Sequence, residues 1–213
     1  MFDIHAHIGE YNENCLVATS YIEEFDKLSQ FKYRAYGSLS FNKEDICVIK
    51  EYLKKDEDGL IGEIGLDKRF NIAGQEEFLR EAIKLGKANS RPIIFHLVGH
   101  YDIFFKLLAE LAPIPPFLVH GFTGSYEVAK RIINSGGYIS LSPRAQRCKS
   151  YKSLLKLPFL LETDLKSGEE EIKTLFLWYN TVSKDIGIKA NELEEIIDER
   201  RTVFTPGKIN WKR

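Results

Sequence analysis

The sequence predicts an α/β protein built as a trimmed (β/α)₈ barrel of the TIM type. Three observations carry this expectation: eight short apolar runs, amphipathic helical stretches between most of them, and no Pro/Gly/Ser-rich linker or low-complexity segment interrupting the series. Strands that alternate with helices run parallel, and eight such units close naturally on themselves. An open doubly wound sheet is the competing arrangement, but the first run is not followed by GxGxxG.

In chain order the expected strands are Phe2 to Ile8, Cys15 to Thr19, Tyr33 to Leu39, Leu60 to Leu66, Pro92 to Leu97, Phe117 to Gly121, Gly137 to Leu141 and Phe159 to Thr163. Helices are expected over Ile22 to Gln30, Lys43 to Lys55, Gln75 to Ala88, Tyr101 to Leu111 and Tyr126 to Asn134, where apolar residues recur at spacings of three and four. Two more follow the last strand, Glu169 to Lys184 and Ala190 to Arg200. Between the first two strands only Gly9 to Asn14 remain, too few for a helix. The chain of 213 residues is short for a fold that commonly needs about 250, and the missing first outer helix accounts for part of the difference. One domain over residues 1–213 is the expectation.

Composition narrows the function classes. The chain is 44% hydrophobic and 29% charged, with 15 Gly and 7 Pro, which excludes collagenous, mucin-like and disordered classes. Thirty basic residues against thirty-one acidic ones leave a formal charge of −1, so any phosphate binding must be local. Cys15, Cys47 and Cys148 stand far apart, which gives neither a disulfide framework nor a thiolate zinc site and fits a reducing, cytoplasmic setting. No run approaches the length of a membrane span. A monomer without membrane association or an obligate protein partner is expected.

Side chains two apart on a strand share a face, so Asp3, His5 and His7 point one way while the apolar residues between them point the other. Burying imidazoles beside a carboxylate is costly unless a ligand uses them, and a metal ion is the usual user of paired histidines. Later strands repeat the pattern near their C-terminal ends, with Glu63, His96, His120 and Asp164. That end of a barrel is where active sites lie. Four of the chain's five histidines fall in this set, and together the six residues offer enough ligands for one or two divalent ions, Mg²⁺, Mn²⁺ or Zn²⁺. Nearby cations suit an anionic substrate: Lys68 and Arg69 after the fourth strand, Arg144, Arg147 and Lys149 after the seventh, and Lys166 after the eighth. His100, at the start of a helix, is a further substrate-contact candidate. Asp3, Asp67 and Glu162 are expected beneath the metal ligands, orienting imidazoles or closing hydrogen bonds.

The segments Phe2-Asp-Ile-His-Ala-His7, Ile61-Gly-Glu-Ile-Gly-Leu-Asp67, the Gln75-x-x-Phe78 helix before Pro92-Ile-Ile-Phe-His96, His120-Gly-Phe-Thr-Gly-Ser125 and Glu162-Thr-Asp164 resemble, in order, the signatures of the TatD-type metal-dependent deoxyribonucleases. The resemblance covers nearly the whole chain. It implies a barrel fold and hydrolysis of DNA phosphodiesters from an end. It further implies that His5, His7 and Asp164 hold one ion, that His96 and His120 hold a second, and that Glu63 bridges them. Asp164 is the expected general base, with Glu63 the other catalytic carboxylate. The sequence departs from the family at the shortened first unit and at Gly37-Ser-Leu-Ser40, where Gly-Ile-His-Pro is usual. It departs again at Lys68-Arg69-Phe70 in place of an aromatic pair, and at Leu165-Lys166-Ser167-Gly168, which lacks the usual Pro and long basic loop. Two other functions use the same residues: hydrolysis of a small-molecule amide, lactone or phosphoester, and metal-bound binding without turnover. Many small-molecule amidohydrolases bridge their metals through a modified lysine on the fourth strand, where this chain has Glu63.

Overall fold

The computed structural model describes residues 1–205. Eight strands follow the chain in order: β1 (Asp3–Ala6), β2 (Cys15–Ala18), β3 (Tyr33–Tyr36), β4 (Leu60–Asp67), β5 (Ile93–Val98), β6 (Phe117–Val119), β7 (Gly137–Leu141) and β8 (Leu160–Leu161). Each pairs in parallel with the next, and they form a nearly closed barrel. The helices are α1 (Lys43–Lys55), α2 (Gln75–Asn89), α3 (Tyr101–Leu111), α4 (Tyr126–Asn134), α5 (Tyr151–Leu154), α6 (Glu169–Ile186) and α7 (Ala190–Arg201). Among the described residues, no helix is long and apolar enough to cross a membrane.

The seam between β8 and β1 closes at the C-terminal end of the barrel. Asp164 N donates to His5 O at 3.1 Å, His7 N to Leu165 O at 2.7 Å, and Ser167 N to His7 O at 2.9 Å. β8 itself is only two residues long, so the segment after it does the pairing. Helix α6 packs near this seam, with Tyr179 Oη donating to Phe2 O, just before β1, at 2.9 Å and Trp178 Nε1 to Leu141 O, at the end of β7, at 2.8 Å.

No helix joins β1 to β2, as the short connection predicts. Asn12 Nδ2 there donates to Glu171 Oε2 at 2.8 Å, tying the connection to α6. The side of α6 next to it keeps Ile172 and Phe176 more than half exposed, in a cleft shared with Asn12 and Asn14.

Two local differences from the sequence expectation have physical causes. Ile22–Gln30 is a 3₁₀ helix rather than an α-helix. Its apolar residues Ile22, Phe25 and Leu28, with Phe31 beyond, recur every three residues, the period at which side chains eclipse on a 3₁₀ helix. Between β7 and β8 the chain also forms a short 3₁₀ turn, Pro143–Arg147, and the single-turn α5, too brief to show any hydrophobic period.

Gly65 and Gly37 stand where backbones approach too closely for a side chain. A Cβ on Gly65 would lie 1.7 Å from His96 O on β5, and one on Gly37 would lie 2.2 Å from Glu63 N. The second contact lets Glu63 N pass the end of β3 and donate to Thr19 O at 2.9 Å. That hydrogen bond ties the Glu63 backbone to the end of β2.

Candidate metal centre

All six residues expected as ligands meet at the C-terminal mouth. His5 is fully buried, Glu63 2% exposed and His120 6%, while His7, His96 and Asp164 are partly open. The Glu63 carboxylate divides them. Its Oε1 lies 2.6 Å from His96 Nδ1 and 2.7 Å from His120 Nε2. Its Oε2 faces the other group, 3.9 Å from His5 Nε2 and 4.0 Å from His7 Nε2, and accepts from Ser20 Oγ at 3.0 Å. Asp164 completes that second group, with Oδ1 3.1 Å from His7 Nε2 and 3.6 Å from His5 Nε2. It does so from left-handed backbone, φ 60°, which Asp tolerates better than most residues.

The donor set fits divalent cations. Among the described residues neither ring nitrogen of His5 has a hydrogen-bond partner, although the ring is wholly buried. Burial and the neighbouring imidazoles of His120 and His7 hold His5 well below the usual histidine range, so it stands neutral with a lone pair to give. Ligand atoms of His5, His7 and Glu63 lie within 4.8 Å of one another, as do those of His5, His120 and Asp164 and those of Glu63, His96 and His120. Unpartnered neutral imidazole beside carboxylate oxygen is the chemistry of a metal site.

Buried acids behind the imidazoles set the electrostatics. Burial opposes a charge on His120, but Glu63 and Glu162 outweigh it and push the imidazole up to about 10. Glu63 is in turn held well below the carboxylate range: burial works the other way, and His120, His96 and His5 prevail. Glu162 Oε1 sits 3.6 Å from His120 Nδ1, and Asp67 Oδ2 3.2 Å from His96 Nε2. Asp67 is lowered to about 2, because bonds from Arg69 and His96 overcome the cost of burying it. Asp3 touches no imidazole nitrogen; it accepts from His5 N, Thr163 N and Thr163 Oγ1 and so pins β8 to β1.

The cations expected at the mouth divide. Lys68, Arg69 and Arg144 line the cavity of about 540 Å³ over the centre. Two are already engaged: Arg69 Nε donates to Asp67 at 2.9 Å, and the Arg144 guanidinium donates to Asp164. His100 and Lys166 do not line it. His100 occupies left-handed backbone at the start of α3, and its neighbours Gly99 and Tyr101 face the cavity instead. Lys166 lies in a separate shallow pocket beside Glu10, Glu169 and Glu170. Ser20, Leu39, Tyr101 and Thr123 also line the cavity, and none of them is among the site candidates of the sequence. Each follows the C-terminal end of a strand, which is the signal that would have found them.

A family model described as TatD related DNase matches residues 38–202. The chain belongs to that family. It is 30% identical over 187 residues to an uncharacterized metal-dependent hydrolase of Methanocaldococcus jannaschii, an alignment covering 78% of this chain and 73% of that one. A 3′-5′ ssDNA/RNA exonuclease TatD of Cronobacter turicensis is 26% identical over 145 residues, 61% of this chain and 55% of that protein. Among solved structures, the TatD homolog YjjV of Escherichia coli K12 superposes with a TM-score of 0.75 at 22% identity, covering 91% of this chain and 86% of the other. A dihydroorotase shares the barrel with a TM-score of 0.66 at 14% identity, over 98% of this chain and 70% of that one. Membership in the TatD family makes the protein a metal-dependent hydrolase.

Proposed function

We propose that this TatD-family hydrolase cleaves phosphodiester bonds of DNA from an end, using one or two divalent ions held by His5, His7, Glu63, His96, His120 and Asp164. The observation that carries this reading is the Glu63 carboxylate, whose two oxygens face two separate ligand groups, Oε1 toward His96 and His120 and Oε2 toward His5 and His7. Four imidazoles favour Zn²⁺ or Mn²⁺ over Mg²⁺. Bound there, such ions would polarise a phosphate as Lewis acids and make water more acidic, and two of them would outweigh the charge of the two ligand carboxylates.

The chain's own residues supply the rest. Asp164, with Oδ1 turned toward His7 and Oδ2 accepting from the Arg144 guanidinium, takes the proton of the attacking water. Lys68 and Arg144 both line the cavity and hold the substrate phosphate by charge. Arg69, bonded to Asp67, adds positive potential while fixing the carboxylate behind His96. Incubating the protein with end-labelled single-stranded and duplex DNA tests this. Shortening of the labelled strand with Mn²⁺, Mg²⁺ or Zn²⁺, stopped by EDTA, is the expected result. Intact DNA with every ion would overturn it.

A further inference from the structure

Helix α6 carries an apolar face that no other element covers among the described residues. Seven large apolar side chains are more than a third exposed there, and three of them, Ile172, Phe176 and Leu177, lie within six residues of this one helix. Apolar side chains scattered singly are ordinary on a surface, but neighbours on one face mark a contact. The shortened first unit is the cause. In a complete barrel the outer helices form a ring, each between two others. Helix α6 has α7 on one side, but on the other it has only the connection 9–14, where a first helix would lie. Ile172 and Phe176 border a cleft of about 240 Å³ beside that connection.

The charges along that face decide what covers it. At about 100° of rotation per residue, Glu169, Lys173, Phe176, Leu177, Asn180 and Lys184 share one arc of the helix. They run acidic, basic, apolar, apolar, amide and basic along about 23 Å. Laid antiparallel on a second copy, about a two-fold axis between Phe176 and Leu177, this face is its own complement. Glu169 then meets the partner's Lys184 at either end, Lys173 meets the partner's Asn180, and Phe176 packs on the partner's Leu177. Glu169 and Lys184 are both exposed and free to reach across. A parallel arrangement would instead set Glu169, Lys173 and Lys184 each against its own copy, and would align the helix dipoles unfavourably. A two-fold contact needs one self-complementary patch and nothing more.

We propose that two copies of this chain pair through α6, antiparallel about a two-fold axis, and so cover the place of the missing outer helix. This dimer replaces the monomer expected from the sequence, and it is independent of the substrate. Phe176 and Leu177 stand at its centre, Ile172 at its edge and the ion pairs at its ends. A contact of one helix per copy is small, so the dimer forms reversibly at micromolar concentration.

Sedimentation velocity of the full chain between about 1 and 100 µM tests this. Wild type should be dimeric at the upper concentration. Leu177→Asp places a charge beside the axis and should weaken pairing about tenfold or more. Lys184→Glu sets acid against acid and should weaken it several-fold, while Glu169→Lys added to Lys184→Glu reverses every pair and should restore it. All three side chains are exposed, so these variants should melt within a few degrees of wild type. Wild type that stays monomeric at the upper concentration overturns the proposal, whether the face is bare or taken by another protein. A dimer that Leu177→Asp leaves intact, or that the double charge reversal fails to restore, overturns this contact as well.

Discussion

Glu63 and His120 meet at 2.7 Å, Oε1 to Nε2, with both side chains buried at the mouth of the barrel. Each stabilises the charge of the other, and the second Glu63 oxygen remains directed at His5 and His7. Replacing Glu63 with Ala removes the carboxylate whose two oxygens face the two ligand groups. Metal content, measured by mass spectrometry after dialysis, should fall together with activity. A Glu63→Ala protein that keeps its full metal content would show that the bridge lies elsewhere.

Asp164 is expected to respond differently. Asp164→Asn preserves size and one oxygen toward His7 and His5, but an amide cannot take a proton from water. Activity should drop by about 10²-fold or more, the scale of lost general-base catalysis, with at least one ion retained. Near wild-type turnover in Asp164→Asn would remove the base from the end of the eighth strand.

Asp67 acts on the centre through His96. A carboxylate 3.2 Å from Nε2 keeps the ring proton at that atom and leaves the Nδ1 lone pair facing Glu63. Asp67→Asn should weaken metal binding by about 10- to 100-fold, the usual consequence of losing a carboxylate behind a ligating histidine. Titration calorimetry with Mn²⁺ measures it, and an unchanged affinity would assign Asp67 to holding Arg69 alone.

Away from the centre, Tyr36 predicts an alkaline limit on stability. Its hydroxyl donates to Asp56 at 2.8 Å, and burial followed by that carboxylate pushes it up to about 12. The unfolded tyrosine titrates near pH 10, so the folded state holds the proton more tightly. The contribution is complete below about pH 10 and is lost as pH rises through about 12. Urea unfolding between pH 8 and 12 should show a decline that Tyr36→Phe reduces; identical pH profiles for the two proteins would contradict the assignment.

The fold and the convergence of the six candidate ligands at one mouth were legible in the sequence because both rest on short-range regularities. Alternation along a strand puts His5 and His7 on one face, and barrel closure carries the ends of β4, β5, β6 and the segment after β8 to the same mouth. The glycines of the Ile61–Asp67 segment also have a local reading, since Gly65 is where β4 presses on the backbone of His96. The partners of the rim residues had no such regularity. Arg69 and Arg144 read in the sequence as free cations, yet one is bound to Asp67 and the other to Asp164, while Lys166 sits among glutamates and His100 turns aside at the start of α3. Strand periodicity states which face and which end a side chain occupies. Which long, flexible cation meets which buried carboxylate depends on the paths of loops between distant parts of the chain, and only the assembled barrel decides those paths.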